Sequence, residues 1–253
     1  MLYFDLTDKV AVVTGGGTGI GIEYCTTLAQ QGCDVAIFDI DLQSAQAQAE
    51  RLAALSGRNI RAYHCNVADE LEVRSSVAAV VRDLGRIDIL INNAGILRYS
   101  EELEDWNAVI AVNLTGSWLM GREVVRQSMQ KNGRGKIVNI ASISATLVSG
   151  SGAPSYSVSK AGVLALTKEQ ATAYAKYGIL VNAISPGAME HGGQGKQSAL
   201  ASNEDTFKNG RHPMKRKGKY GELSAALLML VSDENTYVNG QSIMVDGGWS
   251  NVL

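Results

Sequence analysis

Short β-branched apolar runs alternate with longer helical patterns from the first residues to beyond Val181. That alternation confines the chain to successive βα units around a mostly parallel sheet, with helices on both faces. Strands are predicted over 10–14, 35–39, 60–65, 87–92, 136–141, 180–184 and 242–245, with helices between them. The expectation is one α/β domain over 1–253, a doubly wound parallel sheet of about seven strands. The three prolines, Pro154, Pro186 and Pro213, fall at or near predicted element boundaries, where a missing backbone donor is tolerated, and none marks a linker.

The first strand runs into Gly15-Gly-Gly-Thr-Gly-Ile-Gly21, and a helix is predicted from Ile22 to Gln31. Glycines permit the turn and let the backbone approach a pyrophosphate, whose charge is favoured by the amides at a helix N-terminus. A Gly-rich turn alone is a weak sign; its place after a first buried strand strengthens it. Asp39 ends the second predicted strand, about twenty residues on, where an acid hydrogen-bonds an adenosine ribose. A 2′-phosphate there would face Asp39 with Asp41 close by, and like charges about 4 Å apart cost about 1–4 kcal/mol. NAD is therefore expected over NADP, with no Arg or Lys inside 15–21 to offset the repulsion. A strand-end Asp that caps the following turn is the plainer alternative.

Bulk properties narrow the remaining classes. With 45% apolar and 19% charged residues, the chain has the composition of an ordinary globular protein. A net charge of −2 gives no field for nucleic acid or an anionic membrane, and neither is expected as a partner. The start MLYFDLTDKV lacks a basic segment followed by a hydrophobic one, and no apolar run is long enough to span a bilayer, so a cytoplasmic protein is expected. Cys25, Cys33 and Cys65 match no metal or redox spacing and read as buried thiols. His64, His191 and His212 are scattered, so no metal site is expected.

Tyr156 and Lys160 stand four apart on a helix predicted to begin near Ser155, which puts both on one face. A free phenol titrates near pH 10, so a useful base near neutrality needs on the order of 4 kcal/mol of phenolate stabilisation, and an ammonium has the right sign. Taken alone, such a pair is more often surface decoration. Together with Thr14 to Gly21, Asn92-Asn-Ala-Gly95, Asn113, Ser142 and Pro186-Gly187, in that order and at these separations, it resembles the short-chain dehydrogenase/reductase family over nearly the whole chain.

The resemblance implies a Rossmann fold and hydride transfer between nicotinamide and a secondary alcohol or ketone. It implies that Tyr156 exchanges a proton with the substrate oxygen, that Lys160 also holds the nicotinamide ribose, that Ser142 orients the oxygen and that Asn113 sustains a water relay. By itself Asn113 reads as a helix-interior polar residue satisfied locally. The dinucleotide would lie against Gly15, Thr18, Gly19, Ile20, Gly21, Asp39, Ile40, Asn66, Val67, Asn93, Ala94, Gly95, Tyr156, Lys160, Pro186, Gly187 and Met189. Two positions depart from the family pattern. Asn66 replaces a frequent Asp and can still accept a hydrogen bond. Ala188-Met189-Glu190-His191 follows Pro186-Gly187 with His191 where many members carry a Thr, leaving Met189 to offer its backbone to the carboxamide.

The loop-like stretch 188–213, rich in Gly and Ser, follows the sixth strand and reads as a substrate lid, a solvated excursion being the bland alternative. Ser142, Ser144, Leu147, Val148, Tyr156, Met189 and His191 are the candidate pocket residues, a mix suited to a small, moderately polar substrate. The basic run from Lys208 to Lys219 could draw an anionic substrate or simply face solvent. The C-terminal pattern from Asn235 to Gly248 is similar to members acting on sugar acids, polyols and small ketones, including gluconate-type dehydrogenases, and to others reducing acyl-linked ketones. The resemblance also implies a homotetramer. A nucleotide-sensing protein without catalysis, or an isomerase or eliminase of the same fold, are the competing readings.

Overall fold

A computed structural model of the chain describes residues 4–147, 153–190 and 212–252. Seven parallel strands form one sheet in the order β3-β2-β1-β4-β5-β6-β7. They are β1 Val10–Thr14, β2 Asp34–Asp39, β3 Ile60–His64, β4 Ile89–Asn92, β5 Gly135–Ile140, β6 Ile179–Pro186 and β7 Ser242–Val245. The helices are α1 Gly19–Gln30, α2 Leu42–Ser56, α3 Glu70–Leu84, α4 Leu103–Ile110, α5 Gly116–Val124, the short α6 Gln130–Asn132, α7 Pro154–Tyr174 and α8 Ser224–Val231. This is the expected doubly wound Rossmann-type sheet. Strand bounds agree with the sequence-based ones to within two residues; β4 starts later because Asp88 spends its carboxylate on the Val10 amide (2.9 Å) before the ladder begins.

Period-two alternation explains the layers. Ala11, Val13, Val35, Ile37, Ile89 and Ile91 pack with α1, α2 and α8 on one face. Val10, Val12, Ala36, Phe38 and Leu90 pack with α3 and α5 on the other. Because both faces are covered, β1 and β4 are buried along their whole length, as parallel strands require.

Local chemistry ends the helices where the crossovers need them to end. Asp41 caps α2 through the Ser44 amide (3.1 Å), and Asp69 caps α3 through the amides of Leu71 (2.8 Å) and Glu72 (3.0 Å). Gly57 closes α2 at φ 67°. Pro154 opens α7 at its first position, where no donor is lost.

Reversal of strand order between β1, with β2 on one side, and β4 on the other makes the crevice beyond their carboxyl ends the natural ligand site. The glycine turn leaves β1 there, and Asn93 to Gly95 leaves β4 beside it. Among the described residues no helix is long and apolar enough to cross a membrane, and no group of three His, Cys, Asp or Glu could hold a metal ion. The three cysteines are free and buried.

Candidate active site

At the β1 end the sequence-predicted helix start is corrected. α1 begins at Gly19, three residues before Ile22, so the glycine run supplies its first turn as well as the loop. Thr18 takes the N-cap position without a side-chain cap, leaving the first amides to a ligand. Gly15 and Gly19 have φ of 63° and 58°, a region glycine enters freely. A Cβ on Gly21 would lie 2.0 Å from the Gly15 carbonyl oxygen, so a side chain there forces the turn apart. Thr18 and Gly19 face solvent with Ile20 half-exposed beside them, an open backbone cradle of the kind a pyrophosphate fits.

Asp39 does two jobs in the same crevice. Its carboxylate accepts the Gly17 amide (2.9 Å) and the Asp41 amide (3.0 Å), so the turn-capping reading holds while the group remains at the rim of the crevice. Ile40 is exposed beside it. Asn66 turns its side-chain oxygen onto the Ala68 amide (3.1 Å), and its backbone amide donates to Glu72 (2.9 Å), so a ligand donor would share the oxygen's second lone pair. Val67 is buried under Gly116, where a Cβ would come within 2.8 Å of it.

The β4 turn is stitched to the β1 turn. Asn93 donates its side-chain amide to the carbonyls of Thr14 (2.9 Å) and Gly15 (3.0 Å). The Thr14 hydroxyl accepts the backbone amides of Asn93 and Ala94, both at 3.0 Å. Thr14, which opens the glycine motif, is a site-building residue to which sequence reasoning assigned no role; the available signal was a polar side chain closing an otherwise apolar strand.

The catalytic candidates converge at the ends of β5 and α7. Lys160 is buried and donates from Nζ to the Ile140 carbonyl (2.7 Å), which ends β5. Its Nζ lies 5.7 Å from the centre of the Tyr156 ring. Burial lowers the Lys160 ammonium to about 8. Burial pushes the Tyr156 phenol up, opposed by its hydrogen bond with Ser142, and the Tyr99 hydroxyl adds to the upward push. Ser142 follows β5 directly and accepts the Ser144 amide on its hydroxyl oxygen (3.1 Å), which frees its proton for an oxygen in the site. Ser144 and Leu147 are half-buried nearby; Val148 and His191 lie outside the described residues, as does 191–211 of the expected lid.

Asn113 departs from the local satisfaction that a helix-interior amide suggests. It sits in a π-helical turn, Ala111–Thr115, between α4 and α5. Its side chain accepts the Ile96 amide (2.8 Å) and donates to the Ile96 carbonyl (3.0 Å) and the Ser159 hydroxyl (3.0 Å). A Cβ on Gly95 would stand 3.4 Å from Asn113 Oδ1 and 3.5 Å from Lys160 Nζ, so the bare glycine keeps that corner open.

Pro186 ends β6, and a Cβ on Gly187 would meet Asp246 at 2.8 Å, so the C-terminal turn backs the strand end. Met189 forms a parallel bridge with Gly218: the Glu190 amide donates to Gly218 (2.8 Å) and the Gly218 amide to Ala188 (2.9 Å). That pattern directs the Met189 amide and carbonyl to the opposite side. Within the described part of the basic run, Arg216 is held by both carboxylate oxygens of Glu222 (2.8 and 2.7 Å), so its charge is largely neutralised.

A family model for enoyl-(acyl carrier protein) reductase matches residues 15–250. The 2-dehydro-3-deoxy-D-gluconate 5-dehydrogenase of Dickeya dadantii is 34% identical, over 97% of this chain and 97% of its own. The D-threitol dehydrogenase of Mycolicibacterium smegmatis is 35% identical, over 98% of this chain and 95% of its own. The crystal structure of the NADPH-dependent 3-quinuclidinone reductase of Rhodotorula rubra superposes with a TM-score of 0.89 at 31% identity, covering 97% of this chain and 92% of that one. The chain belongs to the short-chain dehydrogenase/reductase family and is an oxidoreductase of alcohol and ketone groups.

Proposed function

We propose that this chain interconverts a secondary alcohol and its ketone on a sugar acid, polyol or small keto compound, using NAD. The observation that carries the reading is the buried Lys160 ammonium, fixed by the Ile140 carbonyl at 2.7 Å and 5.7 Å from the Tyr156 ring, with Ser142 beside the same phenol. A nicotinamide dinucleotide, when bound, supplies the hydride acceptor or donor. The glycine turn, the uncapped start of α1, Asp39, Asn66, Val67, Ile40 and the Asn93 to Gly95 turn fit its adenosine and pyrophosphate, and Pro186, Gly187 and Met189 are suited to its nicotinamide end.

The protein's own groups handle the proton. In the oxidative direction Tyr156 Oη takes the substrate hydroxyl proton, and in reduction it returns one to the carbonyl oxygen. Lys160, positively charged below about pH 8, offsets the charge on the phenolate. Ser142, oriented by the Ser144 amide on its oxygen, donates its proton to the same substrate oxygen. Both donors of the Asn113 side-chain amide are committed, to Ile96 and Ser159, so a water relay to Lys160 would use an acceptor such as the second lone pair of its side-chain oxygen.

NAD preference rests on Asp39. The Rhodotorula enzyme uses NADPH, so overall similarity leaves the choice to local charge, and a carboxylate at the crevice rim repels a 2′-phosphate. A homotetramer is inferred with this reading; exposed Trp118 on α5 and Val158 on α7 suit helix-to-helix association. The test is turnover with NAD and NADP against a panel of sugar acids, polyols and simple secondary alcohols, with Tyr156→Phe as control. The variant should lose about 1,000-fold or more in turnover while still binding NADH. Retained turnover would remove Tyr156 from the reaction.

A further inference from the structure

A chain of buried polar side chains crosses the centre of the sheet immediately behind the site. Asn92 ends β4 and Asn139 lies directly opposite it on β5. Asn92 donates to the Asn139 side-chain oxygen (2.8 Å) and to the Ser117 carbonyl on α5 (3.2 Å). The Ser117 hydroxyl in turn donates to the Asn113 carbonyl in the π turn (2.8 Å). On its other side Asn139 donates to the Thr167 hydroxyl (3.0 Å) and the Gln170 side-chain oxygen (3.3 Å), both on α7. Asn92, Ser117, Asn139, Thr167 and Gln170 are all buried.

Apolar side chains of similar volume would fill this space without the desolvation that buried amides carry. A polar hub in such a place contributes one fixed geometry more than it contributes stability. Its position decides which geometry that is. Asn139 immediately precedes Ile140, whose carbonyl holds Lys160, so β5 grips α7 at two points: at Lys160, and at Thr167 with Gln170. Tyr156 lies eleven residues before Thr167, about 16 Å along the helix at 1.5 Å per residue. A tilt of about 4° at the distal grip therefore carries the phenol about 1 Å, enough to cost on the order of 100-fold in rate.

We propose that Asn139 is a positioning residue. Through Thr167 and Gln170 it sets the tilt of α7, and through Asn92 and Ser117 it sets the π turn that carries Asn113. The effect on rate rests on the oxidoreductase chemistry proposed above, whereas the effect on the Tyr156 phenol does not.

The experiment compares the parent with Asn139→Leu and with the double variant Thr167→Val/Gln170→Leu, which leaves Asn139 and both strands intact. In each, kcat is expected to fall about 10- to 100-fold with the KM for dinucleotide changed less than about 3-fold, because the glycine turn is untouched. The Tyr156 phenol, followed by ultraviolet difference titration against Tyr156→Phe, is expected to titrate at higher pH as the tilt of α7 loosens its hydrogen bond with Ser142, which holds it down. If Asn139→Leu fails to fold, the double variant alone decides. Parent-like kcat and an unmoved phenol titration in the double variant would overturn the proposal. If the parent turns over no alcohol or ketone, the functional reading falls, and the phenol titration still decides the role of the hub.

Discussion

Replacing Lys160 with Met tests the electrostatics of the site without reference to any substrate. The ammonium is buried, and burial lowers it from 10.5 to about 8. Between those values the unfolded chain binds a proton that the folded one has released, so this group makes stability rise with pH across that window. Below about pH 8 both states hold the proton, and folding carries the full cost of burying the charge. That cost corresponds to about 3 kcal/mol, partly offset in the variant by leaving the Ile140 carbonyl unpaired at about 1 kcal/mol. Lys160→Met should therefore be about 2 kcal/mol more stable than the parent at pH 7. The difference should shrink by about 2–3 kcal/mol by pH 10, where the parent's folded lysine is neutral. Urea unfolding of both proteins at several pH values gives the difference directly, and groups common to both cancel in the subtraction. A difference that stays constant from pH 7 to 10 would refute a lysine titrating near 8 in this pocket. The same variant should lose turnover, an instance of stability traded for a working site.

Four further outcomes follow from particular contacts. Asp39→Asn keeps an acceptor for one of the Gly17 and Asp41 amides, which bond to different carboxylate oxygens, and removes the charge, so kcat/KM with NADP relative to NAD should rise about tenfold or more. Gly21→Ala must push the Gly15 carbonyl aside, so it should abolish dinucleotide binding by fluorescence titration and lower the unfolding midpoint. Asp69→Ala removes the acceptor for two amides at the start of α3 and should cost about 1 kcal/mol in chemical denaturation. Arg216→Ala breaks an ion pair whose partners are both exposed, so stability should change by less than about 1 kcal/mol.

Much of the fold is legible in the sequence. β1 and β7 have the bounds that their apolar runs suggest, and the Tyr156–Lys160 spacing places both on α7 as helical periodicity requires. What escaped sequence reading depends on groups far apart in the chain. α1 starts at Gly19 because the tight glycine turn already points its amides along the helix axis, and glycine's low intrinsic propensity conceals this. Asn113 looked locally satisfied because its partners, Ile96 and Ser159, are 17 and 46 residues away. The pairing of Met189 with Gly218, and the role of Thr14 in tying two loops together, are likewise tertiary. Neither π-helical turn has a residue signature, since Ala111–Thr115 and Val125–Met129 are composed of ordinary helix residues.

The π turn at Ala111–Thr115 also bears on how this gene can change length. A π turn accommodates one residue more than the surrounding α-helix, so deleting a single residue there would yield a smoother, better-bonded helix. The flanking helices would keep their facing, because the wide turn already absorbs the extra residue; what would be lost is the turn that aims Asn113 at Ile96 and Ser159. Elsewhere in a helix a one-residue deletion is a defect to be repaired; here it would be a local repair that dismantles the site. Homologues of this chain should therefore tolerate indels in surface loops while holding the residue count between Gly95 and Ser117 nearly fixed.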